Sequence, residues 1–214
     1  MAVVIPMKKP DKRIGRQKPT REVILPFKKT LTHEALEFYG ESGRTAYKWQ
    51  KYLLDAILAI NNDGLWVHTR FGFSVPRQNG KNEVIAIREL VGLYKCERIL
   101  HTAHRTTTSA AAFNRLLEII EEAGLEEGKD YTKIKAIGRE QITLKDGGRI
   151  DFRTRTSTGG LGESFDLLVI DEAQEYTDDQ EAALKYTIAA SSNPQTIMIG
   201  TPPTPISSGT VFTK

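Results

Sequence analysis

The stretch that most constrains this chain is FSVPRQNGKNEVIAIREL, Phe73 to Leu90. Asn79-Gly80 is a strong hairpin signal, yet Gly80-Lys81 is also how a phosphate-binding loop ends. A hairpin needs a second alternating strand after the turn. A phosphate loop needs a strand before it and a helix after it, so that the helix N-terminus faces the anion. Past Lys81, the apolar residues Val84, Ile87, Leu90, Val91 and Tyr94 recur at helical spacing, with Glu83 and Glu89 off the stripe. Before the loop, LWVHTRFGFSV (65–75) is rich in β-branched and aromatic residues. Strand, loop and helix are therefore expected. Two positions depart from G-x-x-x-x-G-K-[ST]. Val75 stands at the first Gly, with Pro76 stiffening the entry, and Asn82 offers an amide oxygen where Ser or Thr would offer a hydroxyl to magnesium.

A phosphate loop alone only binds; hydrolysis also needs a metal and a positioned water. FDLLVIDEAQ is an unbroken apolar run ending in acids, as expected of a strand buried on both faces of a parallel sheet. Its Asp171 falls at the strand's carboxyl end, where open α/β sheets place ligands, and is the candidate for holding magnesium. Glu172 is the candidate for orienting and deprotonating the attacking water. QTIMIGTPP reads as a last strand. Thr201 at its end is a candidate for touching the γ-phosphate or Glu172, and a proline-stiffened strand exit explains it equally well.

The rest of the chain fits an α/β domain. A helix carries Trp49, Tyr52, Leu53, Ala56, Ile57 and Ile60 on one face and ends at Asn61 to Gly64; RILHTA is a short strand. TTSAAAFNRLLEIIEEAG reads as a helix opened by Thr/Ser caps and stopped by Gly124. QITLKDGGRIDFRT is a hairpin turning at Asp146-Gly147-Gly148, and DDQEAALKYTIAAS is helical. Alternation of strands and helices argues for a three-layer α/β domain with a mostly parallel central sheet.

Composition bounds the function classes. At 214 residues, 39% apolar and 27% charged, one globular domain is expected, with no apolar run long enough to span a membrane. One cysteine, Cys96, excludes an intrachain disulfide and cysteine-rich zinc sites. His101 and His104 lack further ligands nearby. The net charge of +3 hides an asymmetry: Met1 to Lys29 holds nine Lys/Arg against Asp11 and Glu22, a net of +7, which leaves −4 for the remainder. With Pro6, Pro10, Pro19 and Pro26 spaced through it, this segment reads as an extended basic arm (1–29) before a domain at 30–214. It suits either contact with nucleic acid or an acidic surface, or a solvated tail.

VPRQNGKN, LLVIDEAQ and IGTPP, with WQKYLLDAIL upstream, together resemble the ATPase domain of the large terminase subunit of tailed bacteriophages. The resemblance spans about Arg44 to Thr210 and implies a RecA-like P-loop fold of the additional-strand, catalytic-glutamate type, using ATP and magnesium. It implies that Gln50 belongs to an adenine-contacting segment and that Pro76, Arg77, Gln78, Asn79, Gly80, Lys81 and Asn82 cradle the phosphates. Lys81 would be the phosphate lysine, Arg77 a γ-phosphate arginine, Asn82 and Asp171 the magnesium ligands, and Glu172 the catalytic base. Gly200, Thr201 and Pro202 match a motif coupling hydrolysis to movement. Arg153 and Arg155 are candidates for an arginine acting on a neighbouring subunit, with Leu161 at the position where some members have that arginine. Implied partners are double-stranded DNA, the portal protein, the small terminase subunit and further copies in a ring on the procapsid, in the cytoplasm of an infected bacterium. An isolated chain is expected to be monomeric. Family members normally continue into a nuclease domain; the residues up to Lys214 do not supply its acids, so nuclease activity is not expected of them. Two other readings stand beside this one: a helicase of the DEAD/DEAH kind, suggested by DEAQ, and a non-hydrolysing module that docks on portal or DNA.

Overall fold

The computed structural model describes residues 15–155 and 162–212. The basic arm leads into a two-residue strand, β1 (Lys29–Thr30), and helix α1 (Thr32–Glu41); α2 (Lys48–Ile57) and β2 (Ala59–Ile60) follow. The strand–loop–helix unit is β3 (Arg70–Ser74) and α3 (Lys81–Tyr94); next come β4 (Arg98–Ala103) and α4 (Thr106–Glu122). Three antiparallel neighbours, β5 (Tyr131–Ile134), β6 (Glu140–Leu144) and β7 (Arg149–Thr154), precede β8 (Leu167–Ile170), α5 (Asp178–Leu184) and β9 (Gln195–Gly200).

Seven strands form one sheet in the order β3-β9-β8-β4-β7-β6-β5, and every pairing from β3 to β7 is parallel. The last strand in sequence, β9, is thus inserted between the strand that enters the loop and the strand that ends in the acids. This is the additional-strand arrangement. Alternation along the strands explains the layers, because successive side chains point to opposite faces. Leu167, Val169, Ile197 and Ile199 join the core under α1–α4, whereas Leu168, Ile170 and Met198 join a second core with Leu184, Tyr176 and Val211. A strand buried on both sides has no polar face to offer, which is why LLVI reads as an unbroken run.

Several expectations need correction. Two helices, not one, lie between Thr32 and Gly64; α1 was hidden because Gly40, Glu41 and Gly43 interrupt its pattern, and Ile60 belongs to β2. Residues 65–69 are not strand, and β5 was unforeseen. No side chain caps α4, whose N-cap is Arg105; the threonines expected as caps lie inside the helix. The arm is docked along part of its length. Ile24 and Phe27 pack on the core, the Leu25 amide donates to His68 Nε2 at 3.0 Å, and Tyr52 donates to Glu22 at 2.6 Å. Its first 14 residues, like Leu161, lie outside the described residues.

Buried charges tie the loop's helix to the sheet. Arg88 of α3, fully buried, donates to both carboxylate oxygens of Glu97 (2.7 and 3.0 Å) and to Gln195 Oε1 of β9 (2.7 Å), and stacks 4.4 Å over Trp66. Removing one member of such a cluster leaves the others buried without partners. Arg88→Ala is therefore expected to destabilise the domain by about 3–5 kcal/mol, measured by urea unfolding. Glu89, one residue on, faces His101 of β4 at 2.5 Å, with both side chains 2% exposed. Burial alone would depress the imidazole pKa, but the facing carboxylate outweighs it, so the net shift is upward.

Candidate nucleotide site

The carboxyl ends of β3, β9 and β8 lie side by side. Ser74 is opposite Gly200, and the Val75 amide donates to the Gly200 carbonyl at 3.1 Å. Two strand spacings, about 10 Å, therefore separate the start of the loop from Asp171. The sheet brings together what the sequence holds about ninety residues apart.

Between β3 and α3 the backbone enters the left-handed region twice, at Gln78 (φ 62°) and Gly80 (φ 76°). Alternation of this kind lets backbone N–H groups line an anion-binding concavity. Two features favour glycine at position 80: its φ disfavours a side chain, and a Cβ would meet Gln50 Nε2 at 3.1 Å. Asn79 Nδ2 donates to the carbonyls of Pro76 (3.1 Å) and Arg77 (3.0 Å), closing the turn from within. Gly80 caps α3 without a side-chain bond, so the first-turn amides and the positive end of a 14-residue helix face the loop. Arg77 is exposed, and neither Arg77 nor Lys81 makes an ion pair among the described residues. Two unengaged cations beside a helix N-terminus form a ready anion site.

Gln50 sits differently from what the resemblance implies. It is 1% exposed, its Oε1 accepts the Tyr47 amide at 2.6 Å, and its Nε2 donates to the Gly80 carbonyl at 2.9 Å. Both ends of the amide are engaged within the protein, bracing the loop from behind.

Asp171 is 1% exposed, and its Oδ1 accepts the Glu172 amide at 2.7 Å. Glu172 itself is left-handed (φ 53°, ψ 45°), a conformation that costs a non-glycine residue roughly 1–3 kcal/mol and clusters at functional sites. Its Oε2 accepts the Arg105 amide at 3.1 Å, at the N-terminus of α4. Asn82 Oδ1 is a buried acceptor with no partner. An unpartnered buried oxygen of this kind suits a hard cation such as magnesium, which takes one or two protein oxygens alongside substrate phosphates. Among the described residues no group of three or more His, Cys, Asp or Glu is placed to hold a metal, so a dedicated all-protein cage is not what this end of the sheet offers.

Both arginines named as trans-acting candidates have partners within the chain. Arg153 is paired with Glu163 at 2.8 Å and lies 3.8 Å from Asp151. Arg155 is 6% exposed and donates to the carbonyls of Thr102, Asp171 and Glu172. Arg155 is thus engaged within its own chain, and Arg153 is ion-paired but partly exposed. Sequence reasoning also missed Gln174. Its Oε1 accepts the Thr201 amide at 3.1 Å and its carbonyl the Gly209 amide at 3.0 Å, joining the acid turn to Gly200, Thr201 and Pro202. Gly200 fits this junction because a Cβ there would lie 2.8 Å from Gln174 Oε1. The DEAQ motif contained the signal, but a glutamine's hydrogen-bond partners are invisible without the fold.

No family model matches this sequence, and no curated protein matches it. Solved structures do. The large terminase of bacteriophage HK97 is similar over 80% of this chain, with a TM-score of 0.63 and 19% identity; the chain spans 38% of that protein. The large-terminase ATPase domain of Thermus phage P74-26 is similar over 78% of this chain and 68% of its own length, with a TM-score of 0.54 and 15% identity. The large terminase of another thermophilic bacteriophage matches 64% of this chain and 34% of its own, with a TM-score of 0.50 and 10% identity. The chain has the α/β fold of the phage large-terminase ATPase domains.

Proposed function

We propose that this chain is the ATPase motor domain of a terminase large subunit, hydrolysing ATP with magnesium to drive double-stranded viral DNA into procapsids in the host cytoplasm. The observation that carries the reading is the shared end of the sheet, where the loop bearing Lys81 and the buried Asp171 with its half-buried neighbour Glu172 flank one inserted strand. Lys81 and the α3 amides would bind the phosphates, and Arg77 would reach the terminal one. Asn82 Oδ1 and Asp171 would hold magnesium, which supplies charge neutralisation on the phosphate oxygens when bound. Glu172 would orient the attacking water and take its proton. Its Oε2 accepts the Arg105 amide, which leaves Oε1 as an acceptor for that water. The Gln174 link to Thr201 gives the acid turn a direct mechanical connection to the proposed coupling segment. Phosphate release by the chain with ATP, present with magnesium and absent with excess chelator, tests the reading. Binding without any release would favour a non-hydrolysing module.

The partners belong to the same proposal: double-stranded DNA, the portal protein, the small terminase subunit, and further copies in a ring on the procapsid, the isolated chain being a monomer. The basic arm would supply sequence-independent DNA affinity through phosphate contacts, each releasing counterions. Deleting residues 1–21, which stops short of the docked Glu22 to Phe27 segment, removes seven of the nine arm cations. That deletion is expected to flatten the slope of log affinity against log salt and leave basal hydrolysis within about twofold, since no site residue lies there. An unchanged slope would assign the arm to a protein surface instead.

A further inference from the structure

Arg155 leaves the end of β7 with its amide still in the sheet, donating to the Ala103 carbonyl of β4 at 2.9 Å. Its side chain then turns inward. Nη1 donates to the carbonyls of Thr102 (3.1 Å) and Asp171 (2.5 Å), Nη2 to that of Glu172 (3.2 Å), and the guanidinium lies 5.5 Å over the Tyr176 ring. One group thus joins the carboxyl ends of three strands and grips both acids through their main chain. Burial lowers its pKa to about 10, the charges of Asp171 and Glu172 acting against that shift, so the cation persists at neutral pH. A planar fork suits three carbonyls spread over one strand and a turn; a lysine ammonium is a single point on a flexible stem.

The left-handed Glu172 needs such a support. A non-glycine residue stays in this region only where its surroundings over-determine it. The main chain of Glu172 is held by its own amide on Asp171 Oδ1 (2.7 Å), by the Glu175 amide on its carbonyl (2.9 Å) and by Arg155 Nη2 on the same carbonyl (3.2 Å), while the Arg105 amide binds its carboxylate (3.1 Å). Of these main-chain bonds, that of Arg155 comes from outside the turn.

We propose that Arg155 is a positioning residue of the nucleotide site, holding the Asp171–Glu172 turn left-handed so that the Glu172 carboxylate points at the bound phosphates. The inference rests on the proposed ATPase reading for its kinetic consequence but not for its structural one. The test compares wild type, Arg155→Lys and Arg155→Ala in the full chain. Two readouts are used: the backbone carbon chemical shifts of Glu172, which report its left-handed conformation, and kcat and KM for ATP with magnesium. In Arg155→Ala, the Glu172 shifts should move toward right-handed or extended values and kcat should fall 10-fold or more, with KM within about threefold. Arg155→Lys should recover part of both. Should Arg155→Ala fail to fold by circular dichroism, Arg155→Lys decides alone, with an intermediate shift and a kcat loss at constant KM expected. Unmoved Glu172 shifts in the folded variants, or a loss carried in KM and not kcat, would overturn the inference. Absence of turnover in wild type would instead count against the ATPase reading, and the Glu172 shifts would still judge Arg155.

Discussion

Lys81→Ala should weaken binding of ATP by roughly 30-fold to several thousand-fold and reduce hydrolysis to background. Removing one partner of a charge-assisted contact costs about 2–5 kcal/mol, and each 1.4 kcal/mol is tenfold. The loop contains one other cation, Arg77, at its exposed opposite end. Because Lys81 makes no ion pair among the described residues and lies at the helix start, the variant should melt at nearly the wild-type temperature. Calorimetric titration with a slowly hydrolysed ATP analogue, alongside a thermal melt, separates lost binding from lost folding. Wild-type affinity in the variant would remove the loop from the site.

Glu172→Gln should leave nucleotide affinity within a few-fold and lower turnover by about 10²–10⁴, the usual contribution of a positioned general base. The substitution preserves shape, and a glutamine Oε1 can still accept the Arg105 amide that holds the carboxylate now. What it removes is the capacity to take a proton. Asp171→Ala should behave differently, losing magnesium-dependent affinity, since Asp171 is the buried acid at the strand end. Equal loss of binding in both variants would show that the two acids do not divide the work in this way.

Much of this was legible from residue patterns because the relevant elements are governed by local rules. The spacing after Lys81 predicts α3, and the apolar run before Asp171 predicts a strand covered on both faces; both hold. The hairpin turning at Gly147-Gly148 also holds, between β6 and β7. What escaped depends on distant segments. The order of the strands places β9 between β3 and β8, a relation no spacing reveals. The inward turn of Arg155 was illegible because an arginine after a strand is ordinarily solvated. Here three carbonyls from β4 and the acid turn replace water. Gln50 presents the same lesson: its partner, the Gly80 carbonyl, is thirty residues away, so its bracing role had no local signature.

Lys81, Asn82, Asp171 and Glu172 are proposed to form one ATP site. A crystal structure of the chain with an ATP analogue and magnesium tests it most directly. The expected result has the phosphates against the α3 N-terminus and Lys81, the metal at Asn82 Oδ1 and Asp171, and the Glu172 carboxylate facing the terminal phosphate. Nucleotide bound elsewhere, for instance in the cleft lined by Trp66, Cys96 and Asn193, or a metal bound without Asn82 and Asp171, would contradict it.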